Sequence, residues 1–134
     1  MAHGTSREAQ VALVNLGELY ALEGYFGAAQ AHLTSARAVD PGVPGPAYAQ
    51  ALLADVRGDR AGSAVALREA LEADQGGAAR HDLVFLYPEE RLHLEALLAE
   101  ASGDAATARV RWRELARCAF PALAQTAQRR LEEP

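Results

Sequence analysis

At 134 residues, half of them hydrophobic, the chain is long enough to bury one real core and short for two domains. Its basic residues are all arginine, 13 against 18 acids for a net charge of −5, which argues against a nucleic-acid partner because phosphates need a basic footprint. An aromatic share of 6% beside abundant Ala and Leu favours helices packed through small side chains over a sandwich or barrel, so the expected class is all-α.

Residues Met1 to Gln10 lack the charged start, apolar core and cleavage site of a secretory signal. The longest apolar runs, such as Leu83 to Tyr87, fall far below the roughly 20 residues that span a bilayer. A cytoplasmic protein with no membrane partner is expected. Thr5 and Glu8 have capping-box spacing and predict a helix from near Ser6 to about Glu23. Within it Leu13, Leu16, Gly17 and Tyr20 share one face, and Phe26, Ala29, Leu33 and Ala36 do so in a second helix from about Tyr25 to Val39. Gly24 supplies the turn between them, Gly17 and Ala29 put small residues where the backbones come closest, and Asp40-Pro41 stops the second helix.

After the stiff turn Pro41 to Pro46, the pattern returns 34 residues on: Gly24, Leu33, Ala36 and Asp40 become Gly58, Leu67, Ala70 and Asp74. The large residues of the first helix are lost there, since Leu13, Leu16, Gly17 and Tyr20 map to Ala47, Gln50, Ala51 and Ala54. Helices are expected over Ala47 to Arg57 and Asp59 to Ala73, with Asp59 as N-cap. A third copy lies 45 residues further, where the run from Ala51 to Asp59 recurs as Ala96 to Asp104. The extra length falls in an insert with Gly76-Gly77 as a joint, predicted to be the most mobile interior point, and one short helical turn. Pro88 with Glu89 and Glu90 opens the next helix. Trp112 takes the slot of Leu33 and reads as core, with a surface anchor as the alternative. A last helix from Pro121 carries Leu123, Ala127 and Leu131 on one side.

The spacing Leu13-x2-Leu16-Gly17-x2-Tyr20, Ala29-x3-Leu33-x2-Ala36, Pro41 resembles a tetratricopeptide (TPR) hairpin with Leu in the usual Trp slot. The resemblance implies a single domain over 1–134, a right-handed superhelix of three hairpins plus a C-terminal capping helix. Repeat 1 covers about 8–41, repeat 2 about 44–74, the insert 75–87, repeat 3 about 88–120 and the cap 121–133. It also implies a non-catalytic interaction module, an adaptor or small chaperone of the secretion type, binding an apolar or apolar-and-basic protein segment in a concave groove. The alternative is a structural self-association or scaffold element, as a homo-oligomer or a piece of a longer array.

By position, the groove slots of that family fall on Val14, Glu18, Leu22, Tyr48, Leu52, Asp55, Val56, His93, Leu97 and Glu100. The set is apolar with acidic edges. Slots that clamp a peptide's terminal carboxylate in some TPR proteins hold Val14, Glu18, Ala49, Glu90 and Leu94 here, which speaks against a heat-shock-tail co-chaperone. A competing expectation is that the insert or last helix fills the groove.

No phosphate loop, nucleophile motif or metal-ligand spacing is present; His3, His32, His81 and His93 are scattered, and no enzyme, cofactor or metal is expected. Cys118 reads as an inert thiol, with a pKa lowered by nearby Arg117 as the alternative. Segments 1–58, 59–104 and 105–134 carry −2, −6 and +3. Arg109, Arg113 and Arg117 recur at i, i+4 steps away from the Ala108, Trp112, Leu115 stripe; they form a solvated outer face or, alternatively, a docking surface for an acidic partner or another copy.

Overall fold

Gly24, Gly58 and Gly103 stand at φ of 87°, 83° and 80°, a left-handed conformation that costs glycine little and other residues much. Around each, the same pair of hydrogen bonds closes the helix before it. Tyr25 N donates to Tyr20 O and Gly24 N to Ala21 O; Asp59 N to Ala54 O and Gly58 N to Asp55 O; Asp104 N to Ala99 O and Gly103 N to Glu100 O, all between 2.8 and 3.1 Å. These are three Schellman turns, which satisfy carbonyls a helix end would otherwise leave unpaired. The next helix begins within two residues each time. Asp59 and Asp104 cap it by accepting from Gly62 N and Thr107 N at 2.8 and 3.1 Å, whereas Tyr25 makes no side-chain cap bond.

The computed structural model describes residues 2–133, with side chains from residue 6 onward, and all of their regular structure is helical. The chain is all-α. Three hairpins are α1 (Ala2–Leu22) with α2 (Phe26–Val39), α3 (Gly45–Val56) with α4 (Arg60–Ala73), and α6 (Pro88–Ala101) with α7 (Ala105–Leu115). The insert holds the short α5 (Ala78–Asp82), and α8 (Pro121–Glu132) ends the chain. Helix α1 starts earlier than the expected Ser6; the cap at Thr5 lies outside the described side chains. Helix α3 also starts earlier than Ala47, because Pro46 sits in its first turn, where a missing N–H is harmless.

The chain divides into two compact units, Met1–Val84 and Phe85–Pro134, parting inside the expected insert. In the first unit α1 packs along α2, α3 along α4, and α3 also touches α1 and α2. The tight seam of the first hairpin needs Gly17: a Cβ there would lie 2.6 Å from Leu33 Cδ2 and 3.3 Å from the carbonyl of Ala29. Leu33 and Ala29 are 1% and 0% exposed, so neither has room to move aside. The matching seam of the second hairpin pairs Ala51 with Ser63, whose hydroxyl donates to Ala51 O at 2.8 Å. Gln10 closes the far end by donating to Ala36 O and Asp40 O at 2.9 and 3.1 Å, serving two late carbonyls of α2. Across the hairpins Arg37 donates to Gln50 at 2.9 Å and pairs with Glu69 at 2.6 Å, an exposed link that sets register more than stability.

In the second unit α7 packs against both α6 and α8. Its core holds Leu94, Ala96, Leu97, Ala108, Trp112, Leu115, Leu123 and Ala127, so Trp112 is core. Tyr87 and Phe120, at the starts of α6 and α8, stack with centroids 4.8 Å apart.

Candidate functional site

The expected groove positions fall in both units. In the first, Glu18, Leu22, Tyr48, Leu52, Asp55 and Val56 are buried and Val14 is half-buried. In the second, His93 and Leu97 are buried and Glu100 is half-buried. An open apolar lining at Tyr48, Leu52, His93 and Leu97 was the expectation, and it is corrected here: these side chains are packed away. In each unit a carboxylate, buried in the first and half-buried in the second, draws another segment of the chain toward the slot.

In the first unit that carboxylate is Asp74, 5% exposed. Tyr48 Oη donates to its Oδ2 at 2.7 Å, the amides of Ala79 and Arg80 donate to its two oxygens at 2.8 and 2.9 Å, and the Arg80 guanidinium stands 3.7 Å away. Gly76 and Gly77, at φ of 88° and 78°, turn the chain so that α5 presents those amides. Asp74 is thus the last residue before the insert and also the anchor of the insert's helix. Burial pulls its pKa up, but the bonds from Tyr48, Arg80 and Ala79 and the Arg80 charge outweigh it and hold the carboxyl below its ordinary value. Burial and the bond to Asp74 push Tyr48 up to about 12. At neutral pH the pair is a neutral phenol donating to a carboxylate.

In the second unit the carboxylate is Glu100. Arg130, from the last turn of α8, grips it with two bonds, Nε to Oε2 at 3.1 Å and Nη2 to Oε1 at 3.0 Å. Trp112 Nε1 donates to the same Oε2 at 3.0 Å. The Arg130 guanidinium lies over the Trp112 ring, 4.8 Å from its centroid, and His93 meets that ring at an edge with centroids 5.6 Å apart. A planar cation is therefore held by a carboxylate fork and an indole face together.

Neither Asp74 nor Arg130 was among the expected site residues. Arg130 could have been found, because Leu123, Ala127 and Arg130 recur at i, i+4 and i+7 and so share the buried stripe of α8. Asp74 was legible as a helix end, while its hold on Tyr48 depends on the course of a glycine-rich insert that carries no periodicity.

Apolar side chains left in solvent include Val11, Leu16 and Tyr25 at 52%, 42% and 62% exposure, with Leu13, Val14 and Tyr20 half-buried beside them on α1. Arg109, Arg113 and Arg117 are exposed as a stripe. Burial raises the Cys118 thiol above its ordinary value, opposite to the lowering that Arg117 could have caused, so it is a poor nucleophile at neutral pH. Among the described residues no cluster of His, Cys, Asp and Glu has the makings of a metal site, and no helix is long and apolar enough to cross a membrane. Comparison with known proteins adds no relative: no family model, curated protein or solved structure matches the chain.

Proposed function

We propose that the chain is a non-catalytic interaction module of the TPR type, its hairpins stacked in a right-handed superhelix with α8 as cap, and that it binds an apolar and basic segment of a protein partner. The observation that carries this reading is the repetition itself: three helix hairpins closed by the same Schellman turn at Gly24, Gly58 and Gly103. A unit repeated in backbone detail, with small residues at its seams, is how such modules build a binding face from helix sides. The net charge of −5 complements a basic segment. The accessible part of the face is on α1, where Val11 and Val14, three residues apart on one side of the helix, are exposed and half-buried.

The test is cross-linking and capture in the native host, followed by titration of the captured segment as a synthetic peptide. Micromolar binding that Val11→Glu abolishes without lowering the melting temperature supports the reading. A partner that binds Val11→Glu and wild type equally contradicts it. Self-association, the structural alternative, is favoured by the same exposed side chains of α1; a dimer by light scattering that Val11→Glu dissociates would replace the first reading with this one.

A further inference from the structure

We propose that Glu100, Trp112 and His93 form a receptor for an arginine side chain, that Arg130 is its built-in occupant, and that an arginine on the partner segment is the ligand that displaces it. The proposal rests on the binding-module reading and gives the partner its chemistry.

The geometry selects a guanidinium. Glu100 offers both oxygens, which Arg130 meets with Nε and Nη2 at 3.1 and 3.0 Å, a parallel fork that an ammonium cannot form. The plane of the same group lies over Trp112 at 4.8 Å, where a flat delocalised cation gains attraction from the ring. Trp112 is fixed from two sides: its Nε1 donates to Glu100 at 3.0 Å and His93 packs at its edge. Glu100 on α6 and Trp112 on α7 thus hold one cation supplied by a third helix, and His93 steadies the ring.

The occupant is placed so that it can leave. Arg130 is itself buried, its side chain 5% exposed, but it belongs to the last turn of α8, and the residues after it, Leu131, Glu132 and Glu133, are half-buried or exposed. The anchors of α8, Leu123 and Ala127 at 1% and 0% exposure, lie a turn or more before it. Fraying of the final turn therefore frees the guanidinium while α8 stays docked. Glu100 keeps 29% of its side chain in solvent, so an incoming arginine has a path to the carboxylate. The self-contact makes the chain its own weak competitor.

The chain's one tryptophan reports on this site. N-acetylargininamide titrated into Arg130→Ala should change Trp112 emission saturably in the millimolar range, about tenfold more tightly than N-acetyllysinamide, and should raise the melting temperature toward wild type. Wild type should respond several-fold more weakly because the site is filled. If Arg130→Ala does not fold, Arg130→Lys keeps the charge without the fork, and the same preference for the arginine probe is expected of it. An equal response to the lysine probe, or an undiminished response in Arg130→Ala/Glu100→Gln, overturns the proposal. A saturable arginine response with no protein partner captured upholds the receptor and sinks the binding-module reading. A captured partner whose affinity is unchanged when its arginines become lysines overturns the receptor's role and leaves that reading standing.

Discussion

The two units solve one problem in two ways. Each holds a carboxylate at a helix end and draws another part of the chain to it, Asp74 in the first unit and Glu100 in the second. Asp74 takes its hydrogen bonds from neutral donors, a phenol and two backbone amides five and six residues ahead, with the Arg80 guanidinium 3.7 Å off, and is nearly sealed. Glu100 keeps 29% of its side chain in solvent and is met by a buried cation, Arg130 at 5%, from thirty positions on. A buried carboxylate satisfied by local backbone amides is a fixed structural joint, because losing it strands several buried donors at once. A carboxylate with 29% of its side chain in solvent, held by an indole N–H and by a side chain on the last turn of a helix, is the more exchangeable joint, because fraying of that turn lets water replace the arginine's bonds.

Substitutions can break or sharpen that contrast. Trp112→Ala should cost the most, about 3–5 kcal/mol, since it empties the core of the second unit and removes the platform under Arg130. Asp74→Ala should cost about 3 kcal/mol by stranding the Tyr48 hydroxyl and two amides. Glu100→Ala should cost about 2 kcal/mol, because it strands the buried Trp112 indole N–H while Arg130 reaches water once the last turn frays. Urea unfolding of these variants ranks the two joints, and a larger loss for Glu100→Ala than for Asp74→Ala would invert the comparison.

The pH dependence separates the joints again. The Asp74 carboxyl is depressed when folded, so its contribution is complete above the ordinary 3.8 and fades as pH falls through the lower folded value. The Tyr48 phenol is raised, so its contribution is complete below the ordinary 10 and is lost as pH rises toward about 12. Wild type minus Tyr48→Phe stability should thus be flat from pH 5 to 9 and shrink in alkali. A difference that changes near neutrality would contradict a neutral phenol donating to a carboxylate.

The smallest effect concerns the seam of the first hairpin. Gly17→Ala gains about 1 kcal/mol of helix propensity but drives a methyl into Leu33 and the Ala29 carbonyl, a clash of about 1–3 kcal/mol. The net loss should be about 1 kcal/mol. Gly27→Ala, with open space around its position, should instead gain up to about 1 kcal/mol, and thermal melts of the two variants test both signs.

Much of the fold was written in local chemistry. Gly24, Gly58 and Gly103 end helices because only glycine takes their conformation cheaply, Asp59 caps because a short carboxylate reaches the amide three residues on, and the Gly17–Ala29 approach follows from two missing side chains. What the sequence did not disclose is which polar groups meet over long separations. Tyr48 sits at a position that reads as groove, yet its burial depends on Asp74, whose direction is set by two consecutive glycines in an aperiodic insert. Glu100 reads as an acidic groove edge, yet Arg130 answers it from the last helix, thirty positions on. Helical period fixes a residue's face and leaves its partner open.

The most direct test of the account is calorimetric titration of the captured partner peptide into wild type and Arg130→Ala. If the chain is a binding module whose second unit carries its own competitor, the peptide should bind the variant several-fold more tightly than wild type, and changing the peptide's arginines to lysine should erase the gain. Equal or weaker binding to Arg130→Ala would contradict it.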